Sequence, residues 1–103
     1  MELLPEDLRA RLPALYAQEG VADPTVYIRF FTPDSNWTWY ATEGSAEEDD
    51  FIFFGYVIGF EKEWGYFALS ELARARGPRG LGIERDLQFQ ATPLSQVLVR
   101  DRH

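Results

Sequence analysis

Apolar and polar positions divide this chain into a short helical start, a run of alternating strands and a helical end. Leu8, Leu12, Leu15 and Tyr16 fall at i, i+4, i+7 and i+8, one stripe of a helix. Pro5-Glu6-Asp7 opens it, since proline suits a first helical position and acids suit the positive end of the helix dipole. Pro13 lacks the N–H a continuous helix needs, so two pieces are expected, about 5–12 and 13–18. Gly20 and Ala22-Asp23-Pro24 end them. From Thr25 to Thr32 the period becomes two, with Val26, Ile28 and Phe30 on one face and Tyr27, Arg29 and Phe31 on the other. Pro33-Asp34-Ser35-Asn36 is a turn, because proline fixes φ and short polar side chains bond nearby backbone. Trp37 to Thr42 is the returning strand of a hairpin, with Trp37, Trp39 and Ala41 on one face and Thr38, Tyr40 and Thr42 on the other.

Glu43 to Asp50, rich in acids and small residues, reads as a surface loop. Phe51 to Phe60 is apolar on both faces and predicts a central strand. Gly55 and Gly59 share a face there, as if Trp37 or Trp39 lies over them. Glu61-Lys62-Glu63 is a tight connection, and Trp64 to Leu69 a fourth strand. Ser70 is placed to cap a short helix that stops at Gly77, followed by a loop over 77–82. Leu87 to Gln90 is a candidate fifth, edge strand. Thr92-Pro93 opens a last helix with Leu94, Val97 and Leu98 inward and a frayed end from Arg100 to His103. The fold class is therefore α+β: a four- or five-stranded, mostly antiparallel sheet with a meander core and short N-terminal, central and C-terminal helices. It forms one domain over residues 1–103.

Four segments carry a family resemblance: LLPEDLRARLPALYAQE, FFTPDSNWTWYATEG, FFGYVIGFEKEWGYFALSEL and GIERDL. Together they resemble the bacterial family called domain of unknown function 2958, from about Leu3 to Val97. The resemblance implies a small domain found on plasmids, phages and integrative elements, alone or beside antirestriction-type proteins. It brings no activity, substrate or cofactor to any residue.

Composition narrows the chemistry. There is no cysteine, which excludes disulfides and thiolate metal sites. The start of the chain lacks a signal-peptide pattern and no apolar run is long enough to span a bilayer, so a cytoplasmic protein without membrane contact is expected. The net charge of -7 is uneven: residues 1–70 hold 13 acids and 4 bases, residues 71–103 hold 4 acids and 6 bases. An acidic body disfavours direct binding to nucleic-acid phosphates. It leaves room for a basic partner or for mimicry of nucleic acid.

Three groups of residues are candidates for function. The first joins Asp34, Ser35 and Asn36 with Trp37, Trp39, Tyr40 and Glu61, a polar turn beside indoles that suits a ligand or a partner surface. The same residues also serve a hairpin turn and a core stripe. The second is the acidic patch Glu47, Glu48, Asp49 and Asp50, a surface for a basic partner or simply a solubilising turn. The third is the arginine cluster from Arg74 to Arg85, in which Arg76 and Arg79 are anion candidates. It lacks the Lys-Ser/Thr of a phosphate loop. Glu61-Lys62-Glu63 is too contiguous for a metal-dependent nuclease, and His103, the sole histidine, is terminal. No catalytic residue, cofactor or metal is expected. The chain reads as a non-catalytic accessory or interaction protein of a bacterial mobile element, binding a protein partner through the aromatic hairpin and acidic loop. Self-association through a sheet face is a further expectation. The alternative is a small-molecule or anion-binding domain, or a small enzyme, using the 34–36 turn and the arginine loop.

Overall fold

The apolar run that begins at Phe51 sits inside a five-stranded antiparallel sheet, with a partner strand on each side. The structure is a computed structural model and describes residues 1–101. Four strands form a meander: β2 (Ile28–Phe31), β3 (Thr38–Glu47), β4 (Asp50–Ile58) and β5 (Lys62–Ala68). A short strand β6 (Glu84–Arg85) pairs with β2, giving the order β5-β4-β3-β2-β6. A separate two-stranded ribbon joins β1 (Thr25–Val26) to β7 (Thr92–Pro93). Three helices complete the α+β fold: α1 (Glu6–Arg11), α2 (Leu69–Arg74) and α3 (Leu94–Asp101). The strands are rich in aromatic and β-branched residues, which pack well on a pleated surface.

Two apolar clusters lie on opposite faces of the sheet. On one face Ile28, Phe30, Ala41, Phe51, Phe53 and Phe67 meet Leu12, Leu72 and Ile83. Phe53 is fully buried there, its ring 5.4 Å from Phe30, 5.1 Å from Phe51 and 5.3 Å from Phe67. Burial of one such side chain contributes about 1.5–3 kcal/mol. On the other face Tyr40 and Ile58 meet Val26 and, from α3, Leu94 and Val97. Val26 thus serves a different cluster from Ile28 and Phe30, and the expected single strand over 25–32 breaks at Tyr27 into β1 and β2.

Several expectations are corrected by contacts distant in sequence. The stripe after Pro13 is not helical: residues 15–20 are turns, Leu15 is half-buried and Tyr16 is exposed. Residues 43–47 are not a loop but the second half of β3, and the hairpin turns only at Glu48-Asp49. A bulge between Ala41 and Glu43 shifts the register, and the backbone of β3 there comes against Gly55: a Cβ on that glycine would lie 1.9 Å from the Tyr40 carbonyl oxygen. Gly59, in contrast, does lie under the Trp37 indole, 2.4 Å from where a Cβ would stand. Lys62 and Glu63 belong to β5 rather than to the turn. The edge strand is β6, and residues 87–90 form no strand.

The helix caps are also supplied from afar. Ser70 lies inside α2, and its N–H and hydroxyl donate to the two oxygens of Asp50 at the start of β4. Thr92-Pro93 is a strand, and α3 is capped by Asp23, which accepts from Ser95 N–H at 3.0 Å and from the Ser95 hydroxyl at 2.7 Å. These hydroxyl bonds, with the backbone N–H bonds beside them, hold both carboxyls below the ordinary aspartate value of 3.8. A depressed value contributes stability that is full above 3.8 and is lost as pH falls through the folded value. Melting temperature is therefore expected to drop as pH is lowered through this window. The double variant Asp23→Asn/Asp50→Asn should start lower and show a flatter acid limb; an unchanged acid limb would show that other groups govern it. Asp101 is not frayed, since it accepts from Arg29 Nε at 3.2 Å and from the Tyr40 hydroxyl. His103 lies outside the described residues.

Candidate functional site

The turn after β2 places Trp37 on the same side of the sheet as Trp39, two residues on, and the indoles stand 5.7 Å apart. Gly59, without a side chain, lets the Trp37 ring lie on the β4–β5 turn. Phe60 at that turn meets Trp37 edge-on at 5.3 Å and is 94% exposed. From the other side come Ala75, Arg76, Gly77 and Pro78, the segment after α2. The result is an open cleft of about 610 Å³ with Trp37, Trp39, Phe60, Pro78 and Ile83 as apolar walls and Ser35, Asn36 and Arg76 as polar points. Its volume lies in the range of small-ligand and side-chain pockets.

The 34–36 turn and the glycine-rich loop meet at this cleft. Asp34 Oδ2 accepts the backbone N–H of Arg79 at 2.7 Å. Asp34 Oδ1 is buried without a hydrogen-bond partner and presses on Gly77, where a Cβ would stand 1.6 Å away. The loop closes on itself through Gly77 N–H to Leu81 O and Gly80 N–H to Gly77 O, with Gly80 at φ +82°. Ser35 shares a 2.6 Å hydrogen bond with the Thr32 hydroxyl, which also accepts from Trp37 N–H. Arg76 Nη1 donates to the carbonyls of Ala73 and Ala75, at the carboxyl end of α2. Asp34 thus serves as the clamp between turn and loop, while Ser35, Asn36, Trp37, Trp39 and Arg76 line the cleft.

Other candidate residues lie elsewhere. Tyr40 is 0% exposed and points to the opposite face, where its hydroxyl donates to Asp101. Burial, and next that hydrogen bond, push its phenol far above its ordinary value, so it stays neutral. It belongs to the core, not to a surface. Glu61 is exposed on the β4–β5 turn but is not part of the cleft wall. Glu47, Glu48 and Asp49 are exposed at the far end of the β3–β4 hairpin, which at about 3.3 Å per residue puts them roughly 30 Å from Trp37. Asp50, the fourth acid of that patch, is the α2 cap. Arg79 is exposed, held by its backbone.

Phe60, Pro78 and Ile83 complete the cleft and are not among the residues expected from sequence. Only Phe60 left a signal, an aromatic residue between Gly59 and Glu61 in a turn too tight to bury it. Among the described residues, no three or more His, Cys, Asp or Glu side chains are grouped to hold a metal, and no helix is long and apolar enough to cross a membrane.

No curated protein and no solved structure matches this chain. One family model matches residues 3–102, nearly its whole length. The fold and the cleft described above therefore characterise a member of that family, and the chain belongs to Protein of unknown function (DUF2958).

Proposed function

We propose that this protein is a non-catalytic binding module, acting as an accessory protein of a bacterial mobile element, and that it takes an apolar side chain of a partner protein into the Trp37–Trp39–Phe60 cleft. The mobile-element setting rests on the family resemblance. The observation that carries the binding reading is Phe60. A large aromatic ring left almost wholly in water beside a second ring contributes little to folding and is the kind of anchor that dominates recognition. Binding rather than catalysis is supported by the lining, which among the described residues holds no carboxylate, lysine or histidine to move a proton. The acidic turn at the other end of the hairpin is too distant to share one compact surface with the cleft.

Phe60→Ser is the decisive variant, because an exposed ring can be removed without opening the core. In affinity capture from the native host, a partner retained by the wild type is expected to fall at least roughly tenfold with Phe60→Ser, as for a lost hot-spot contact. Melting temperature should not change. Equal recovery by the two proteins would overturn the reading.

A further inference from the structure

A second pocket, of about 370 Å³, opens on the opposite face of the sheet. The register aligns Tyr40, Tyr56 and Trp64 across three strands, and pairs Phe54 with Tyr66, so these rings face away from Trp39. Phe54 stacks on Trp64 at 5.6 Å and 12°, and lies 4.9 Å from Tyr66. Tyr16 closes the wall from the 13–18 loop, and the rings of Tyr16, Trp64 and Tyr66 are all exposed. Tyr16 is a non-glycine residue at φ +76°, a strained conformation that persists only when its surroundings fix it. Here the fixing contact is its N–H, which donates to Glu43 Oε1 at 2.8 Å.

Glu43 lies at the base of this pocket and is 3% exposed. Its other oxygen accepts the N–H of Gln18 at 2.6 Å. Among the described residues no lysine or arginine pairs with it, and the pocket lining adds Glu19 but no base. Two backbone amide N–H groups hold this carboxylate in place, and a cation in the pocket would add the counter-charge that the described lining lacks. The faces of aromatic rings add further negative potential. The Tyr66 hydroxyl is held above its ordinary value first by its hydrogen bond with Tyr16, then by desolvation, with smaller contributions from the nearby Glu43 and Glu19 carboxylates. Each Glu43 oxygen already accepts one backbone N–H, and the carboxylate is 3% exposed, so it acts on a ligand in the pocket mainly through its charge. Ring walls suit methyl or methylene groups around a positive centre.

We propose that this pocket binds an alkylated ammonium group, with its charge opposite Glu43 and Glu19 and its methyl groups against Tyr16, Phe54, Trp64 and Tyr66. The proposal is independent of the cleft on the other face. Calorimetric titration with choline, and with its neutral carbon isostere 3,3-dimethylbutan-1-ol at matched ionic strength, tests it. Choline is expected to bind at least roughly tenfold more tightly than the isostere, and Trp64→Ala to weaken it by about tenfold. Leu87→Ser, at an exposed residue that lines neither the pocket nor the cleft, should leave the affinity unchanged. A trimethyllysine peptide is the second arm: tighter binding of the peptide assigns the cation to a protein side chain, tighter binding of choline to a small molecule. Either supports the site. Equal binding of choline and isostere, no binding of either cation, or full affinity in folded Trp64→Ala would overturn it.

Discussion

Gly55→Ala is expected to destabilise this protein by about 3 kcal/mol or more, while Gly65→Ala, at the position paired with it across β4 and β5, should be neutral or stabilising by about 0.5 kcal/mol. The two glycines are neighbours in register, but Gly55 lies on the interior strand β4 under the backbone of β3, whereas Gly65 lies on the edge strand β5 with open space above it. At Gly55 a Cβ would meet the Tyr40 carbonyl oxygen at 1.9 Å and the Ala41 Cα at 3.1 Å, all backbone of the central strand at its bulge. Backbone locked in a ladder cannot swing aside as a side chain can, so β3 and β4 must separate. At Gly65 nothing lies within 4 Å, and alanine only restricts the unfolded chain. Thermal melts of the two variants should differ by 10 °C or more, at roughly 4–8 °C per kcal/mol for a domain of this size. Equal melting temperatures would show that the bulge relaxes without cost.

Glu43→Ala is expected to cost about 2–4 kcal/mol and to release the 13–18 loop from the sheet. This loop runs along β3 where β2 has ended, and takes the place of a strand. Gly44 N–H donates to Pro13 O at 2.9 Å, Leu15 N–H to the Ser45 hydroxyl at 3.0 Å, and Tyr16 and Gln18 N–H to the Glu43 carboxylate. The Gln18 amide then bonds the carbonyls of Thr25 and Thr42 and accepts Thr25 N–H. Removing the carboxylate strands two donors at about 1–3 kcal/mol each when they stay buried, less if the loop swings out to water. Hydrogen exchange at the Tyr16 and Gln18 amides should accelerate, and proteolysis should begin within 14–22. Glu43→Gln keeps the shape but turns one acceptor into a donor, so an intermediate loss is expected. Native-like protection at both amides in Glu43→Ala would place the loop's stability elsewhere.

How much of this was legible in the sequence differs element by element. The alternation of Ile28, Phe30, Trp39 and Ala41 marked the core face, and all four pack there. Leu94, Val97 and Leu98 marked the inner side of α3 and pack against Tyr40 and Val26. The 34–36 turn and the arginine-bearing loop were visible separately, but not their contact, because Asp34 and Arg79 are brought together only by the closed sheet. Tyr40 shared the aromatic character of Trp37 and Trp39, yet parity sends it to the other face, under α3. Glu43 was hidden by its composition, since an acid in a run of acids and small residues reads as solvent-exposed.

By itself the sequence determined the antiparallel meander and the α+β class, because side-chain period, turn residues and proline positions act over a few residues. The tertiary structure decided which acids serve folding and which aromatic residues remain for binding. Asp23 caps a helix 72 positions away, Asp50 one 20 positions away, and Glu43 holds a loop 27 positions back. Such bonds depend on the register between strands and on a bulge, and neither is encoded in any local window. The same register leaves Phe60 outside the core and gathers Phe54, Trp64 and Tyr66 over a buried carboxylate.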